Sequence, residues 1–269
     1  NTPVLLNLRP TGKYVMVDLY EQAGGLPSLA RYMIDIGLLD PSAQTVSGKS
    51  LGELLKDVTP PEFSDPENEV IRSVESPVKP RSSLCIVRGD QSTDAVTSIA
   101  PDGSVFKLSA KQRVFEGPAR VFEHESEAVE AVLAGIVNEG DVIVLRYQGV
   151  SVGCPELLRL TAALSGMGSD SSIAVVTDGR LSGVSRGTLV VHVEPEAWRG
   201  GTIALIEEGD VIRLDGDKES LIVRVGSEQM RQRSENWVKP NIQLPRGPLR
   251  IAAQIVRPLE EGAIWWPRG

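Results

Sequence analysis

Between two apolar segments the sequence runs Thr177-Asp178-Gly179-Arg180-Leu181-Ser182-Gly183-Val184-Ser185-Arg186-Gly187. Glycines and serines so spaced let backbone amides close on a ligand. The same composition suits a glycine-rich hairpin whose turn starts at Asp178. A serine hydroxyl is hardly ionised at neutral pH, so Ser182 is a nucleophile or a base only with help. The usual helper is histidine, and the chain has two, His124 and His192. His192 sits in the apolar run Val190–Val193 and reads as a packing residue with one satisfied ring nitrogen. His124, between Glu123 and Glu125 ahead of a helix, reads as a solvated surface group. Neither a Gly-x-Ser-x-Gly elbow nor a Gly-Lys-Ser/Thr phosphate loop occurs. A hydrolase triad is unsupported, and if Ser182 does chemistry a metal must supply the acidity.

Glu156 is the candidate ligand. It follows Gly153-Cys154-Pro155, where the pattern predicts a helix from Pro155 to about Leu164. A carboxylate in a first turn can hold a hard cation such as Mg2+, or simply offset the helix dipole. Cys154 is either a soft ligand or a small buried hydrophobe. The second thiol, Cys85, lies far away in sequence, so no metal or redox pair and no disulfide framework is indicated. A reducing compartment follows, and cytoplasmic localisation with it.

The elements that must position these residues are mostly short strands. Apolar runs predict strands at Leu84–Val87, Val142–Leu145, Ile173–Val176, Thr188–Val193, Ile203–Ile206, Val211–Leu214 and Leu221–Val225. A helix is expected at Ser126–Val137, capped by Ser126, with Val129, Val132, Leu133 and Ile136 on one face and Gly140 past its end. Two more are expected near the start, over Leu26–Ile36 and Ser50–Lys56. From Thr59 to Ser83 five prolines, Pro66 among them, break any regular ladder, which reads as a connector or a long surface loop. The class is therefore α/β, β-rich, a barrel or sandwich flanked by helices. The tail beyond Ser227 carries Trp237, Trp265 and Trp266. These either dock on another surface or cover this chain's own core.

Composition narrows the function. With 269 residues the chain can bury a real core, and 28 Lys+Arg against 36 Asp+Glu leave a formal charge of −8. No basic stripe for nucleic acid exists. No apolar run approaches the ~20 residues that a bilayer span needs, so neither nucleic acid nor a membrane is expected as partner.

The segment IAVVTDGRLSGVSRG (173–187) followed by VVHVEPEAWRGGTIALIEEGDVIRLD (190–215) resembles the dihydroxy-acid dehydratase and phosphogluconate dehydratase family. The likeness extends to EAVEAVLAGIVNEGDVIVLRYQG (127–149), GCPELLRLTAAL (153–164), LRPTGKYVMVDLYEQAGGLPSLARYMIDIGLLD (8–40) and TVSGKSLGELLKDV (45–58), and is loose over Ser109–Val121. TDGR and GGTIALIEEGD suit dihydroxy-acid dehydratases. RYQG and GCPELLRLT look more like phosphogluconate dehydratases, and aldonic-acid dehydratases stay open.

The resemblance implies the carboxy-terminal half of a larger enzyme. Residues 1–65 would end an amino-terminal, cluster-bearing domain as a short helical remnant, and 66–81 would be a linker. Residues 82–226 would form a swivelling β/β/α barrel-like domain, and 227–269 a tail. The implied reaction takes a 2,3-dihydroxy acid, branched-chain or sugar acid, to a 2-keto acid, placing the enzyme in amino-acid biosynthesis or sugar-acid metabolism as a homodimer. Implied cofactors are Mg2+ and an iron–sulfur cluster whose cysteines are not on this chain. By the family's motifs, Ser182 is the base, Glu156 a metal ligand, and Ser185 and Gly183 face the substrate. The stretch from Tyr147 to Glu156 is shorter than the family's usual spacing. The isolated chain is expected to be inactive. The alternative is a stand-alone, non-catalytic domain of the same descent that binds a ligand or a partner.

Overall fold

The computed structural model describes all residues except 1, 10–11, 64–69, 83, 88, 90–92, 108–112, 184, 242–243, 245 and 267–269. Pro66 of the expected connector, Ser109 and Val184 fall outside the described residues.

The chain divides into two compact units, Asn1–Ser82 and Ser83–Gly269. In the first, α1 (Met16–Ala23), α2 (Gly25–Asp35) and α3 (Leu51–Leu55) follow one another. Between α1 and α2, Gly24 takes a left-handed backbone (φ 72°), which ends one helix and starts the next. Ser50 caps α3 and Glu53 reaches back to the Ser50 amide, a reciprocal pair that stabilises so short a helix. Leu5, Leu19, Tyr32, Val70 and Ile71 form this unit's core. Part of the expected connector therefore pairs back on the amino-terminal segment, through the bridges Leu6 to Ile71 and Val4 to Lys79.

The second unit is built on a nine-stranded mixed sheet. In chain order its elements are β1 (Leu84–Val87), β2 (Thr97–Ser98), β3 (Gly103–Lys107), β4 (Val114–Phe122), α4 (Glu125–Leu133), β5 (Val142–Leu145), α5 (Leu158–Gly166), β6 (Ala174–Thr177), β7 (Thr188–Glu194), β8 (Val211–Asp215), β9 (Ser220–Val223), α6 (Ser227–Asn236) and α7 (Pro248–Ile255). The strand order is β1-β3-β7-β6-β5-β4-β8-β9-β2. Strands β4, β5, β6 and β7 run parallel, and the flanking pairs are antiparallel. β4 serves both halves: residues 114–118 pair with β8 and residues 119–122 with β5. This turns the sheet into a half-barrel.

β5 shows why the sheet needs two cores. All four of its residues are buried; Val142 and Val144 pack into the concave face with Phe106, Phe115, Val176, Ile212 and Leu214, while Ile143 and Leu145 face α4 and α5. A continuous apolar run is what a parallel strand covered on both sides requires.

Several expectations are corrected here. The run Ile203–Ile206 is not a strand. Residues 202–205 form one 3-10 turn, held by buried apolar contacts just after Gly200 and Gly201, and four apolar residues are too few for periodicity to decide. Helix α4 starts after His124 rather than at a Ser126 cap and stops at Leu133, because Gly135 adopts the left-handed conformation (φ 68°) well before Gly140. Its buried face is Ala128, Val129, Ala131 and Val132, and Leu133 and Ile136 are exposed. Helix α5 begins at Leu158, so Glu156 precedes it instead of sitting in its first turn. Of the tail tryptophans, Trp237 packs on the concave core, whereas Trp265 and Trp266 are exposed. Among the described residues no helix is long and apolar enough to cross a membrane.

Candidate active site

The carboxyl ends of parallel strands are where open α/β sheets place ligand sites, since the loops there diverge and leave a crevice. In the second unit those loops are Glu123–His124 after β4, 146–154 after β5, 178–187 after β6 and 195–201 after β7.

Asp178 ties three of these loops together. Its Oδ1 accepts the Gln148 amide (2.8 Å), and its Oδ2 accepts those of Tyr147 (3.2 Å) and Ala197 (2.9 Å). The side chain is buried, and desolvation pushes its carboxyl up to about 6 against the pull of those donors. Gly179 follows because a Cβ there would strike Gln148. The sequence pattern marks Asp178 as a turn starter; the structure makes it an anchor with no face toward solvent.

Beyond Gly179 the loop turns outward and meets Glu156. Arg180 and Glu156 form an isolated parallel bridge, and the Leu157 amide donates to the Arg180 carbonyl (3.2 Å). The Arg180 guanidinium donates to the Cys154 carbonyl (3.0 Å) and lies 3.8 Å from the Glu156 carboxylate. Two residues on, Ser182 is half-buried, and its carbonyl accepts the Ser185 amide (3.0 Å). Gly183 is exposed, with open space where a side chain would be. Ser185 is buried and its hydroxyl bonds to that of Thr161 on α5 (3.0 Å).

Lys107, at the end of β3, was not foreseen from the sequence. Its ammonium donates to the Gly183 carbonyl (2.7 Å) and the Ser185 carbonyl (2.5 Å), bracing the serine loop from beneath, and burial lowers its pKa. No local signal marks it, because the two segments are 76 and 78 positions apart.

Around this site three non-glycine residues hold positive φ: Tyr147 (62°), Cys154 (45°) and His192 (55°). Such backbone strain costs on the order of 1–3 kcal/mol per residue and persists where its surroundings over-determine it. Tyr147 is locked by its amide on Asp178 and by its hydroxyl accepting from the Trp237 indole (3.2 Å). The His192 amide donates to the Gly179 carbonyl (3.0 Å). Among the described residues the His192 Nδ1 is buried without a hydrogen-bond partner. Burial and the nearby Arg180 lower its pKa, so the ring stays neutral. His124 is the N-cap residue of α4 and lines a separate cavity of about 850 Å3.

The residues present fit a metal poorly. Among the described residues no group of three His, Cys, Asp or Glu is placed to hold one. Glu156 can supply one oxygen, whereas a hard cation needs about six. Burial raises the pKa of both Cys85 and Cys154, which disfavours the thiolate that a cluster requires. Among the described residues the side chains make no metal site by themselves.

Comparison with known proteins bears on this arrangement. The chain is 41% identical over 268 residues to a dihydroxy-acid dehydratase of Pyrobaculum neutrophilum, 43% over 267 residues to one of Pyrococcus furiosus and 41% over 265 residues to one of Metallosphaera sedula. These matches cover 97–98% of this chain and 46% of each relative, so the chain spans about half the length of the curated relatives it matches. The family model for the dihydroxy-acid/6-phosphogluconate dehydratase amino-terminal region matches residues 1–54. The model for the carboxy-terminal region of the same enzymes matches residues 69–263, which takes in the half-barrel and every loop of the site, and the chain therefore belongs to the dihydroxy-acid/6-phosphogluconate dehydratase family.

Proposed function

We propose that this chain is the second half of a hydro-lyase that converts a 2,3-dihydroxy acid to a 2-keto acid, and that its Asp-Gly-Arg loop carries the base. The observation that supports the reading best is the construction of that loop. Asp178 anchors it inside, Lys107 grips two of its carbonyls, and Arg180 joins it to Glu156. This construction supports the reading that the loop holds Ser182 for use as the base.

In this reading Ser182, deprotonated to the alkoxide, takes the proton from C2 as the C3–O bond breaks; the departing hydroxide takes up that proton to leave as water, restoring the alkoxide, and the enol formed tautomerises to the keto acid. A base must sit within hydrogen-bond reach of that proton, so a rigid loop counts for more than a flexible one. Gly183, with no side chain, lets the substrate approach the backbone. Ser185, whose backbone amide and carbonyl are already engaged, acts on the substrate indirectly, by holding the loop to α5 through Thr161. If the whole protein holds a Mg2+, Glu156 is the residue of this chain that would contribute to its coordination. That ion, with an iron–sulfur cluster, would supply the positive charge that acidifies a serine hydroxyl. We further propose that the half-barrel is a swivelling β/β/α unit working against the preceding domain, in a homodimer of the cytoplasm.

The reading is tested by incubating the whole protein, prepared anaerobically with Mg2+, with branched-chain and sugar-derived 2,3-dihydroxy acids and measuring 2-keto acid. Formation of keto acid by the wild type and its loss in Ser182→Ala is expected. No keto acid from any of them would favour the non-catalytic alternative.

A further inference from the structure

The loop that ends at Cys154 also borders a second place of unusual chemistry. Two adjoining cavities, of about 370 and 510 Å3, share Ser151, Trp198, Lys239 and Gln254 among their walls. Both lie within the second unit, where α7 packs over loop 149–154. Arg199 and Arg257 line the smaller cavity and Arg250 the larger, and among the described residues neither has an Asp or Glu in its wall. In a chain with 36 acidic and 28 basic residues that is an uneven distribution.

Two of the four cations are already neutralised. Arg199 bonds to the buried Glu196 carboxylate (2.8 Å), and Arg257 bonds to Glu261 (2.8 Å). Lys239 and Arg250 have no carboxylate partner among the described residues; the Lys239 ammonium instead lies 4.2 Å from the centre of the Trp198 ring. Arg250 occupies the first turn of α7, the positive end of its dipole. That turn has no acidic residue, and Gly247 provides no side-chain cap. A cation there is disfavoured, and an anion beside it reverses the sign.

From this geometry we infer that the joined cavities are a binding site for a small organic anion, a phosphate or carboxylate, held by Lys239 and Arg250 beside the face of Trp198. The combined space suits a ligand of sugar-acid size. Walls carrying Lys239, Arg250 and the Gln254 amide suit an anion better than a divalent cation. The aromatic wall and the Gln254 amide can take up a carbon skeleton and its hydroxyls. Two sources share this chemistry: the far anionic end of the substrate proposed above, or a separate anionic effector. Only the first rests on the dehydratase reading.

The test titrates the whole protein with inorganic phosphate and with a phosphorylated sugar acid at low ionic strength, by calorimetry and by tryptophan fluorescence. Saturable binding is expected, weakened about tenfold by Lys239→Ala and about tenfold by Arg250→Ala. Both side chains are exposed, so the circular dichroism spectrum should not change. Lys239→Arg should keep most of the affinity. No saturable binding of either probe to the wild type, or equal binding by all variants, overturns the proposal. Competition between phosphate and a 2,3-dihydroxy acid assigns the site to the substrate's far end; binding of both together assigns it to an effector. Absence of turnover with phosphate binding intact would count against the dehydratase reading alone.

Discussion

Replacing Asp178 by Asn should flatten part of the protein's stability profile between weakly acidic and neutral pH. The carboxyl titrates at about 6 when folded, against an ordinary value of 3.8. Because the folded state holds the proton more tightly, this contribution to stability is fully present below the ordinary value and is lost as pH rises through about 6. A gap of about two units is worth ~3 kcal/mol in total, at ~1.4 kcal/mol per unit. Between about pH 5 and 7.5 the part still to be lost is ~1.4 kcal/mol. Asn fills the same space and does not titrate. It offers one acceptor oxygen where the carboxylate offers two oxygens to three amides, a cost of ~1–3 kcal/mol that does not vary with pH. The assay is urea unfolding of both proteins at several pH values, followed through Trp237, which packs on the concave core. Glu194, pushed up to about 7 by burial, titrates in both proteins and cancels in the difference. The wild type should therefore lose ~1.4 kcal/mol more than the variant across the range. A difference that stays constant with pH would refute the assignment of a buried, proton-binding Asp178.

Lys107→Met removes the donors beneath Gly183 and Ser185, and should loosen the loop by ~1–3 kcal/mol, seen as faster hydrogen exchange of the amides of Leu181 to Gly187. Gly149→Ala drives a methyl group into the buried Glu196 carboxylate and should cost ~1–3 kcal/mol in thermal unfolding. Arg233→Ala leaves Asp210 without its partner in a half-buried setting; a loss of ~3–5 kcal/mol is expected in urea unfolding, with Arg233→Lys recovering part of it.

Much of the fold could be read from local patterns, and the failures share a cause. Leu84–Val87 and Val142–Leu145 are strands with the expected bounds, because runs of β-branched and aliphatic residues between turn signals leave little choice. Strand β4, with Gly117 and Pro118 in its middle, was not foreseen. Those residues argue against a strand unless it bends, and here they sit where it passes from β8 to β5. Residues 202–205 misled in the opposite sense, since burial alone, not strand pairing, accounts for their apolar character.

At the candidate site, the loop containing Ser182 stands out by its glycines and Glu156 by its place after Gly153-Cys154-Pro155, and the likeness to a known family suggests a role for each. What holds the loop could not be read so. Lys107 and Thr161 reach it only through tertiary contact, and the anchoring role of Asp178 depends on amides from Tyr147, Gln148 and Ala197. Such partners carry no sequence signature because their spacing along the chain has no period.

The proposed reaction turns on removal of the C2 proton of a 2,3-dihydroxy acid by Ser182. The most direct measurement compares kcat of the whole protein with its Ser182→Ala variant, using substrate with hydrogen or deuterium at C2. The account predicts a fall of at least ~100-fold in kcat for the variant, with stability and metal content unchanged, as expected for loss of a positioned base. A variant that keeps near-normal kcat, with the same isotope effect as the wild type, would contradict it.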